Sequence, residues 1–267
     1  MESVETNFLK HLKTNFMARQ RGIFPLEGTI GNVTFLKTRD GYLAKEKTHI
    51  PASRIANDPA FQRTRENNQE FGRAGKAAKL FGAIFRAVVN GGRDSRMTSR
   101  LMKVMMAVIK MDLVNTRGLR NVIDGEAQLL DGFEFNANSK ITTVIYVPYA
   151  SSIDRVTGVL KVDFPVYVPM QMINAPVGTT HYRIIAAGGE IDFQQQQYNL
   201  STDGTAFLDW DSMNTAPFSL SCNLPVNSTQ PLFLALGIEF YQEVNGTMYH
   251  LKNGSYNGLG VIKVDTP

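Results

Sequence analysis

The spacing of apolar residues changes near residue 128 from a helical period to the two-residue period of strands. Before this point apolar residues recur every three or four positions, which predicts helices. After it, β-branched and aromatic residues alternate with polar ones in short runs bounded by turn residues. The chain is therefore predicted to be α+β, with helices preceding an antiparallel β-sandwich in residues 128–267. The predicted strands lie in ITTVIYVP, GVLKVDFPVYVP, HYRIIAAGGEIDF, TAFLDW, FSLSCNLP, PLFLALGIEFYQEV, TMYHL and LGVIKVD.

Residues 58–127 are predicted to form an antiparallel pair of helices. The first helix begins at Asp58-Pro59, because an aspartate can accept hydrogen bonds from the free amides and proline suits the first helical position. Asp94 or Ser95 is expected to cap the second helix. The turns before Phe71 carry Arg and Asn where a core-facing stripe is expected. The predicted core stripe of the first helix is Phe71, Ala74, Ala78, Phe81, Phe85 and Val88.

Residues 1–57 are predicted to form an N-terminal arm with three parts. Residues 2–16 have the apolar spacing of a short amphipathic helix. Residues 30–47 predict a β-hairpin that turns at Asp40-Gly41, because glycine accepts a positive φ. Residues 48–57 contain a proline and no clear period, so an extended connector is expected there.

The charges of the chain are divided unevenly along its length. Residues 1–122 contain 22 Lys and Arg against 10 Asp and Glu, and residues 123–267 contain 6 against 14. A basic half followed by an acidic half favours either a polyanionic partner or the acidic half of a neighbouring copy, although solvated surfaces alone can also give such a pattern.

Composition excludes several protein classes. Cys222 is the single cysteine, so no intrachain disulfide can form, which argues against a small disulfide-stapled secreted domain. No stretch approaches 18 apolar residues, so no membrane span is predicted. The N-terminus has no long apolar segment of the kind that directs export. We therefore expect the protein in the cytoplasm, or in an assembled particle released from the cell.

The sequence contains no recognised nucleotide-binding, hydrolase or metal-binding motif, and its four histidines are scattered. No cofactor and no metal site are predicted. Trp210, between Asp209 and Asp211, could contact a sugar or a cation, or could anchor the end of a strand. Glu190 and Asp192 share one face of a predicted strand, which allows acid–base chemistry but equally suits a solvated sheet face.

A basic segment crosses the predicted first helix. A nucleic-acid interface would require its cations on one face to neutralise phosphates. Glu66 and Glu70 interrupt such a face. The residues predicted for this alternative are Arg65, Arg73, Lys76 and Lys79.

Head-to-tail self-association explains the polar start of the first helix better. Arginine can pair with carboxylates through its planar fork, and the acidic half supplies carboxylates. A repeated head-to-tail contact gives a ring when it closes and a tube or filament when it does not. Residues 33–46 could also add as strands to the sheet edge of another copy. The predicted subunit-interface residues are Arg54, Arg63, Arg65 and Arg73, together with Asp40 and Gly41.

The stretches MARQRGIFPLEGTIGNVTFLKTRDGYLAKEK and RIANDPAFQRTRENNQEFGRAGKAAKL resemble a family of uncharacterised bacterial proteins. TRGLRNVIDGEAQLLDGFEFN and PLFLALGIEFYQEVNGTMYHLKNGSYN extend the resemblance from about Met17 to the C-terminus. The resemblance implies no particular activity. A looser likeness to phage-associated proteins that pair a glycine-rich hairpin with a Gln- and Arg-rich helix implies a structural role in many copies. We therefore predict a non-enzymatic, self-assembling protein, with nucleic-acid binding or carbohydrate binding as alternatives.

Overall fold

The computed structural model describes residues 17–19, 26–47, 50–89 and 91–267. Its contacts divide the chain into two compact units, Met1–Gln62 and Arg63–Pro267. The predicted helix in residues 2–16 lies outside the described residues. The α+β class is confirmed, because helices and antiparallel sheets both occur.

The first unit contains a four-stranded antiparallel sheet in the order β1-β4-β3-β2. The predicted hairpin is confirmed as β3 and β4. Residues 26–47 and 50–62 of the first unit contain no buried residue, so strands β2, β3 and β4 enclose no core. Its elements are β1 (Met17–Arg19), β2 (Gly28–Ile30), β3 (Val33–Thr38), β4 (Gly41–Glu46), α1 (Ala52–Asn57) and a 3-10 helix (Pro59–Phe61).

Two predictions for this unit are wrong in detail. The hairpin turns at Arg39 and Asp40, because Thr38 already pairs with Gly41, and Gly41 takes its positive φ of 114° as the first residue of β4. The expected extended connector is partly helical. Pro51 stands at the N-cap of α1, where a missing N–H costs no helical hydrogen bond.

The paired helices are confirmed in the second unit. Asp58 accepts a hydrogen bond from the amide of Ala60 and starts the 3-10 turn that leads into α2 (Gln62–Ile84). The next helix is α3 (Met97–Lys110). Gly75 of α2 lies beside Met102 of α3, and Gly82 lies beside Met97, so the two helices run antiparallel. The predicted cap of α3 by Asp94 or Ser95 is wrong, because the N-cap residue is Arg96 and makes no side-chain cap; Asp94 instead accepts from the Arg96 amide in the turn before the helix.

The α2 core stripe differs from the prediction at its beginning. Phe71 is exposed, whereas Ala74 is buried. Glu70 is also buried, in place of the apolar residue that a core stripe would supply. The buried residues of α2 are Glu70, Ala74, Ala77, Ala78, Phe81 and Ile84.

The remainder of the second unit is mainly antiparallel sheet. Its elements are α4 (Ile141–Val144), β5 (Ala150–Asp154), β6 (Val159–Phe164), α5 (Pro169–Met172), β7 (His181–Asp192), β8 (Gln197–Gly204), β9 (Leu208–Asp209), β10 (Phe218–Asn223), β11 (Leu232–Val244), β12 (Thr247–His250) and β13 (Gly258–Asp265). The predicted strand at ITTVIYVP is instead the helical turn α4, whose first amide, Ile141 N, is bound by the Glu134 carboxylate. Strands β5 and β8 lie outside the predicted runs.

Two long central strands organise the larger sheet. β7 pairs with β11 along ten residues of each strand. β8 and β9 pair with successive parts of the outer edge of β7, while β12 and β13 do the same for β11. A smaller sheet in the order β10-β6-β5 covers one face of this larger sheet.

The helices cover the opposite face of the larger sheet, so the second unit has three layers. Phe81 of α2 meets Phe233 of β11 with ring centroids 5.1 Å apart. Two glycines of β7 let side chains approach both faces, because a Cβ on Gly188 would lie 2.9 Å from Cys222 and one on Gly189 would lie 3.0 Å from Phe85. The boundary predicted at residue 128 therefore runs through a shared core. This burial on both faces explains the nearly continuous apolar runs of the central strands.

Candidate interaction surfaces

One face of the first unit's sheet is mainly apolar, although the register also places Lys37 and Glu46 on it. The register places Ile30 beside Val33 and Phe35 beside Ala44 on a single face, because alternate residues of a strand share a face. Ile30 is 62% exposed. We call this surface the apolar arm face; it consists of Ile30, Val33, Phe35, Tyr42 and Ala44. An isolated sheet needs an apolar face packed on another element for stability, so this face favours a binding partner.

The same sheet changes one predicted binding mode. β3 and β4 are interior strands, with β2 beside β3 and β1 beside β4. Residues 33–46 therefore cannot add to another sheet edge without displacing β1 or β2. Asp40 and Gly41 remain at the exposed tip of the hairpin.

Arg54 and Arg63 both project into solvent. Arg54 Nε pairs with Asp58 at 3.1 Å, and Arg63 Nη1 pairs with Glu66 at 3.0 Å. The Arg63 side chain is 72% exposed. The Arg54–Asp58 pair is the more exposed and contributes at most about 1 kcal/mol, whereas Glu66 is half-buried and also pairs with Arg117 at 3.7 Å. Arg65 is half-buried.

Arg73 has a structural role, contrary to its predicted place at a subunit interface or on a phosphate-binding face. Its Nη1 donates to the carbonyl oxygen of Gly118 at 2.6 Å and to that of Arg120 at 3.2 Å. Both acceptors lie in the loop after α3. Because these bonds hold Arg73 against its own chain, it is a poor candidate for either external contact.

Lys76 and Lys79 are the exposed cations left on the predicted nucleic-acid face. Lys76 lines a groove of about 530 Å³ with Arg73, Asp124 and Gln194. Asp124 offsets part of the positive charge there. Of the four residues predicted to bind nucleic acid, the structure brings Arg73 and Lys76 to one groove. The Asp124 carboxylate in that groove disfavours phosphate.

Glu70 is the functional position that sequence reasoning missed. Its Oε1 accepts hydrogen bonds from the Gly118 amide at 2.8 Å and from Arg120 Nε at 2.9 Å. A buried carboxylate needs such partners to offset the loss of hydration. Glu70 and Arg73 together fix the loop of residues 111–124 on α2, and we call this segment the anchored loop.

Asp112 organises the anchored loop from within. Its carboxylate accepts hydrogen bonds from the amides of Val114, Asn115 and Asn121 and from the Asn115 side chain. Burial alone would raise the pKa of Asp112, but these hydrogen bonds lower it below the ordinary value. The loop therefore has one preferred conformation that is set by an ionised carboxylate.

The anchored loop presents apolar side chains to solvent although its backbone is firmly held. Leu113 is 93% exposed. Exposed apolar groups on a fixed backbone are typical of contact surfaces, because little order must be gained when a partner binds. The exposed apolar residues are Met111, Leu113, Val114, Leu119 and Ile123.

An acidic groove lies beside β8, β9 and β10. It has a volume of about 480 Å³ and combines carboxylates with apolar walls. Asp209 is the most open of its acids, with a side chain 74% exposed and 2.9 Å from His181 Nε2. The groove therefore suits a basic partner with apolar side chains. Its acids are Asp203, Asp209 and Asp211, and its apolar walls include Leu208, Met213 and Phe218.

Trp210 is placed as a strand-end anchor. Its indole N–H donates to the carbonyl of Ile173 at 3.2 Å, and its ring packs against the core between the two sheets. The carboxylates of Asp209 and Asp211 are engaged with His181 and with the Met213 amide. The predicted sugar contact therefore has no open indole face at its centre.

Glu190 and Asp192 line one small groove, but each has a structural partner. Glu190 is buried and accepts from the Asn199 side chain at 2.6 Å and from the Ser228 hydroxyl. Asp192 accepts from two amides of the following turn. Carboxylates used in this way hold the ends of strands together.

The described part of the chain contains no group of three His, Cys, Asp or Glu residues arranged to hold a metal ion. Cys222 is buried, and burial raises the pKa of its thiol to about 11. Among the described helices, none combines the length and the apolar character needed to cross a bilayer.

Comparison of this chain with protein-family models, with curated proteins and with solved structures gives no match. The resemblance to bacterial proteins in the sequence therefore stays a prediction, and the function has to be argued from the surfaces described above.

Proposed function

We propose that this protein is a non-enzymatic structural subunit that assembles head-to-tail with copies of itself. The observation that carries the proposal is the apolar arm face, whose strands β2, β3 and β4 contain no buried residue. The partner to which we commit is a second copy of this chain.

The acidic groove is the receiving surface in this proposal. The arm combines an apolar face with Lys37 and Arg39 near the hairpin tip, and the groove combines apolar walls with three carboxylates. The two surfaces are complementary in polarity and charge, which favours a specific contact. Because the surfaces differ, each copy offers one of each, and the contact repeats into a ring, a tube or a filament.

Three cations next to the arm supply further contacts. Arg54, Arg63 and Arg65 lie before or at the start of α2, and the first two each pair with a half-buried carboxylate within one helical turn. They are proposed to pair with carboxylates of the neighbouring copy. Arg73 is not part of this contact, since it holds the anchored loop.

The test compares two substitutions on one strand. Phe35→Asp places a charge on the apolar arm face, and Thr34→Asp places the same charge on the opposite face, across from Lys45. Burying a phenylalanine contributes about 1.5–3 kcal/mol, so its replacement is expected to weaken each contact at least about ten-fold.

Light scattering coupled to size exclusion and negative-stain electron microscopy would measure the assembly of nuclease-treated protein at low and high salt. We expect ordered multi-subunit particles for the unmodified chain and for Thr34→Asp, and dispersed subunits for Phe35→Asp. Monomeric protein at every salt and protein concentration would refute self-assembly. Unchanged particles of Phe35→Asp would refute the role of the apolar arm face.

A further inference from the structure

A cleft lies where the chain leaves the end of α2 and crosses the larger sheet. Its volume is about 720 Å³, and it is lined by three arginines from separate segments. Arg86 lies in the turn after α2, Arg93 in the connection to α3, and Arg183 in β7. We call it the arginine cleft. Glu239 is the one carboxylate that lines it among the described residues.

Glu239 offsets the charge nearest to it. It lies opposite Arg183 in the β7–β11 register and accepts a hydrogen bond from the Tyr241 hydroxyl at 2.6 Å. Arg183 Nε donates to the Thr205 carbonyl at 2.8 Å, so this guanidinium is held in place. The cleft retains an excess of positive charge from Arg86 and Arg93.

Arg86 and Arg93 are exposed, and within the described ranges neither side chain has a hydrogen bond or an ion pair. Both guanidinium groups therefore remain available to an anion at the cleft. Their planar forks match the oxygens of phosphate or carboxylate groups.

His250 also lines the arginine cleft. Its Nδ1 is buried and has no hydrogen-bond partner among the described residues, and its ring lies 4.4 Å from the Tyr241 ring.

We propose that the arginine cleft binds a small organic oxyanion, with its anionic oxygens on Arg86 and Arg93. The imidazole of His250 supplies a further polar contact. Val88 and Ile185 line the same cleft and cover an organic body attached to the anionic group. This proposal is independent of self-assembly, since none of these residues belongs to the apolar arm face or to the acidic groove.

Isothermal titration calorimetry of the full chain with pyrophosphate and with citrate, at constant ionic strength set by sodium chloride, tests the proposal. Charge-assisted hydrogen bonds are strong, so Arg86→Gln and Arg93→Gln are each expected to weaken binding about ten-fold or more. Lys79→Gln removes the same charge from an exposed position outside the cleft and is expected to leave the affinity within about two-fold.

His250→Phe separates a built site from general positive charge, because it keeps an aromatic ring against Tyr241 and removes the ring nitrogens. We expect this variant to bind several-fold more weakly. Absence of binding by both probes at millimolar concentration would overturn the proposal. Equal loss of affinity in Lys79→Gln and Arg86→Gln would also overturn it, since that result indicates non-specific attraction.

Discussion

The substitution Asp112→Asn tests whether one carboxylate sets the conformation of the anchored loop. Oδ1 of Asp112 accepts from the amides of Val114 and Asn115, each at 2.9 Å. Oδ2 accepts from the Asn115 side chain and from the Asn121 amide, each at 3.0 Å. An asparagine carbonyl can keep one of these pairs, but its NH₂ group would then face the two donors of the other pair.

The cost follows from the two hydrogen bonds that are lost. A hydrogen bond to a charged group contributes about 1.5–3 kcal/mol, and a buried donor without an acceptor is costly in itself. The side chain is buried within a loop and not in one of the two hydrophobic cores, so we take the lower part of this range. The expected loss of local stability is about 2–4 kcal/mol.

Amide hydrogen exchange would measure this loss at Val114, Asn115 and Asn121, because the asparagine carbonyl can serve only one of the two pairs of donors. A destabilisation of about 2 kcal/mol corresponds to an exchange rate roughly 30 times faster. Asp154→Asn is the matched control. Asp154 accepts from the amides of Val156 and Thr157 in a similar turn. It is exposed, so water can accept the hydrogen bonds that an asparagine side chain at this position would no longer accept.

Unchanged exchange at all three of these amides in Asp112→Asn would refute the reasoning. An equally large effect in Asp154→Asn would do so as well, because it would mean that exposure does not matter to these turns.

Three further outcomes are expected. The double variant Arg63→Glu, Arg65→Glu should abolish assembly in light scattering and leave the circular dichroism spectrum unchanged. Adding Asp209→Arg to the same chain should restore part of the assembly. Assembly that persists in the double variant would contradict these contacts. Burial would raise the pKa of Asp94, but its hydrogen bonds from backbone amides and from Arg100 lower it. The stabilising contribution of the ionised Asp94 is thus complete above the unfolded pKa of about 4 and is lost as the pH falls through the lower folded pKa. The urea concentration at the unfolding midpoint should therefore decrease when the pH is lowered below about 4 and stay constant between pH 6 and 8. The Cys222 thiol, with its pKa raised to about 11, should resist alkylation at pH 8 in folded protein and react after unfolding, and rapid labelling of folded protein would contradict its burial.

The elements that the sequence predicted correctly are those with local signals. Asp58-Pro59 begins a helix because both residues act on neighbouring amides, and Asp58 accepts from Ala60. The central strands were recognisable because residues buried on both faces form long apolar runs. The α4 turn at Ile141 was missed, since the Glu134 carboxylate that binds its first amide lies seven residues away and carries no periodic signal.

The contacts of the candidate surfaces were beyond sequence reasoning because they are non-local. Arg73 contacts the carbonyl of Gly118, which is 45 residues away, and Glu70 contacts Arg120, which is 50 residues away. The sequence shows Arg63 and Arg73 only as two positive charges on one predicted helix. In the structure Arg73 holds the anchored loop on α2, whereas the Arg63 side chain lies in solvent. The polar start of α2 is thus explained in part by the anchored loop of the same chain.

The anchored loop also has a thermodynamic consequence. Immobilising a rotamer-rich side chain or a loop on binding costs about 0.5–1.5 kcal/mol per side chain. Here Glu70, Arg73 and Asp112 fix the backbone when the chain folds, so that entropy is lost before any partner arrives. Leu113 and Val114 project from this fixed backbone into solvent, so substitutions there are expected to leave the fold beneath unchanged.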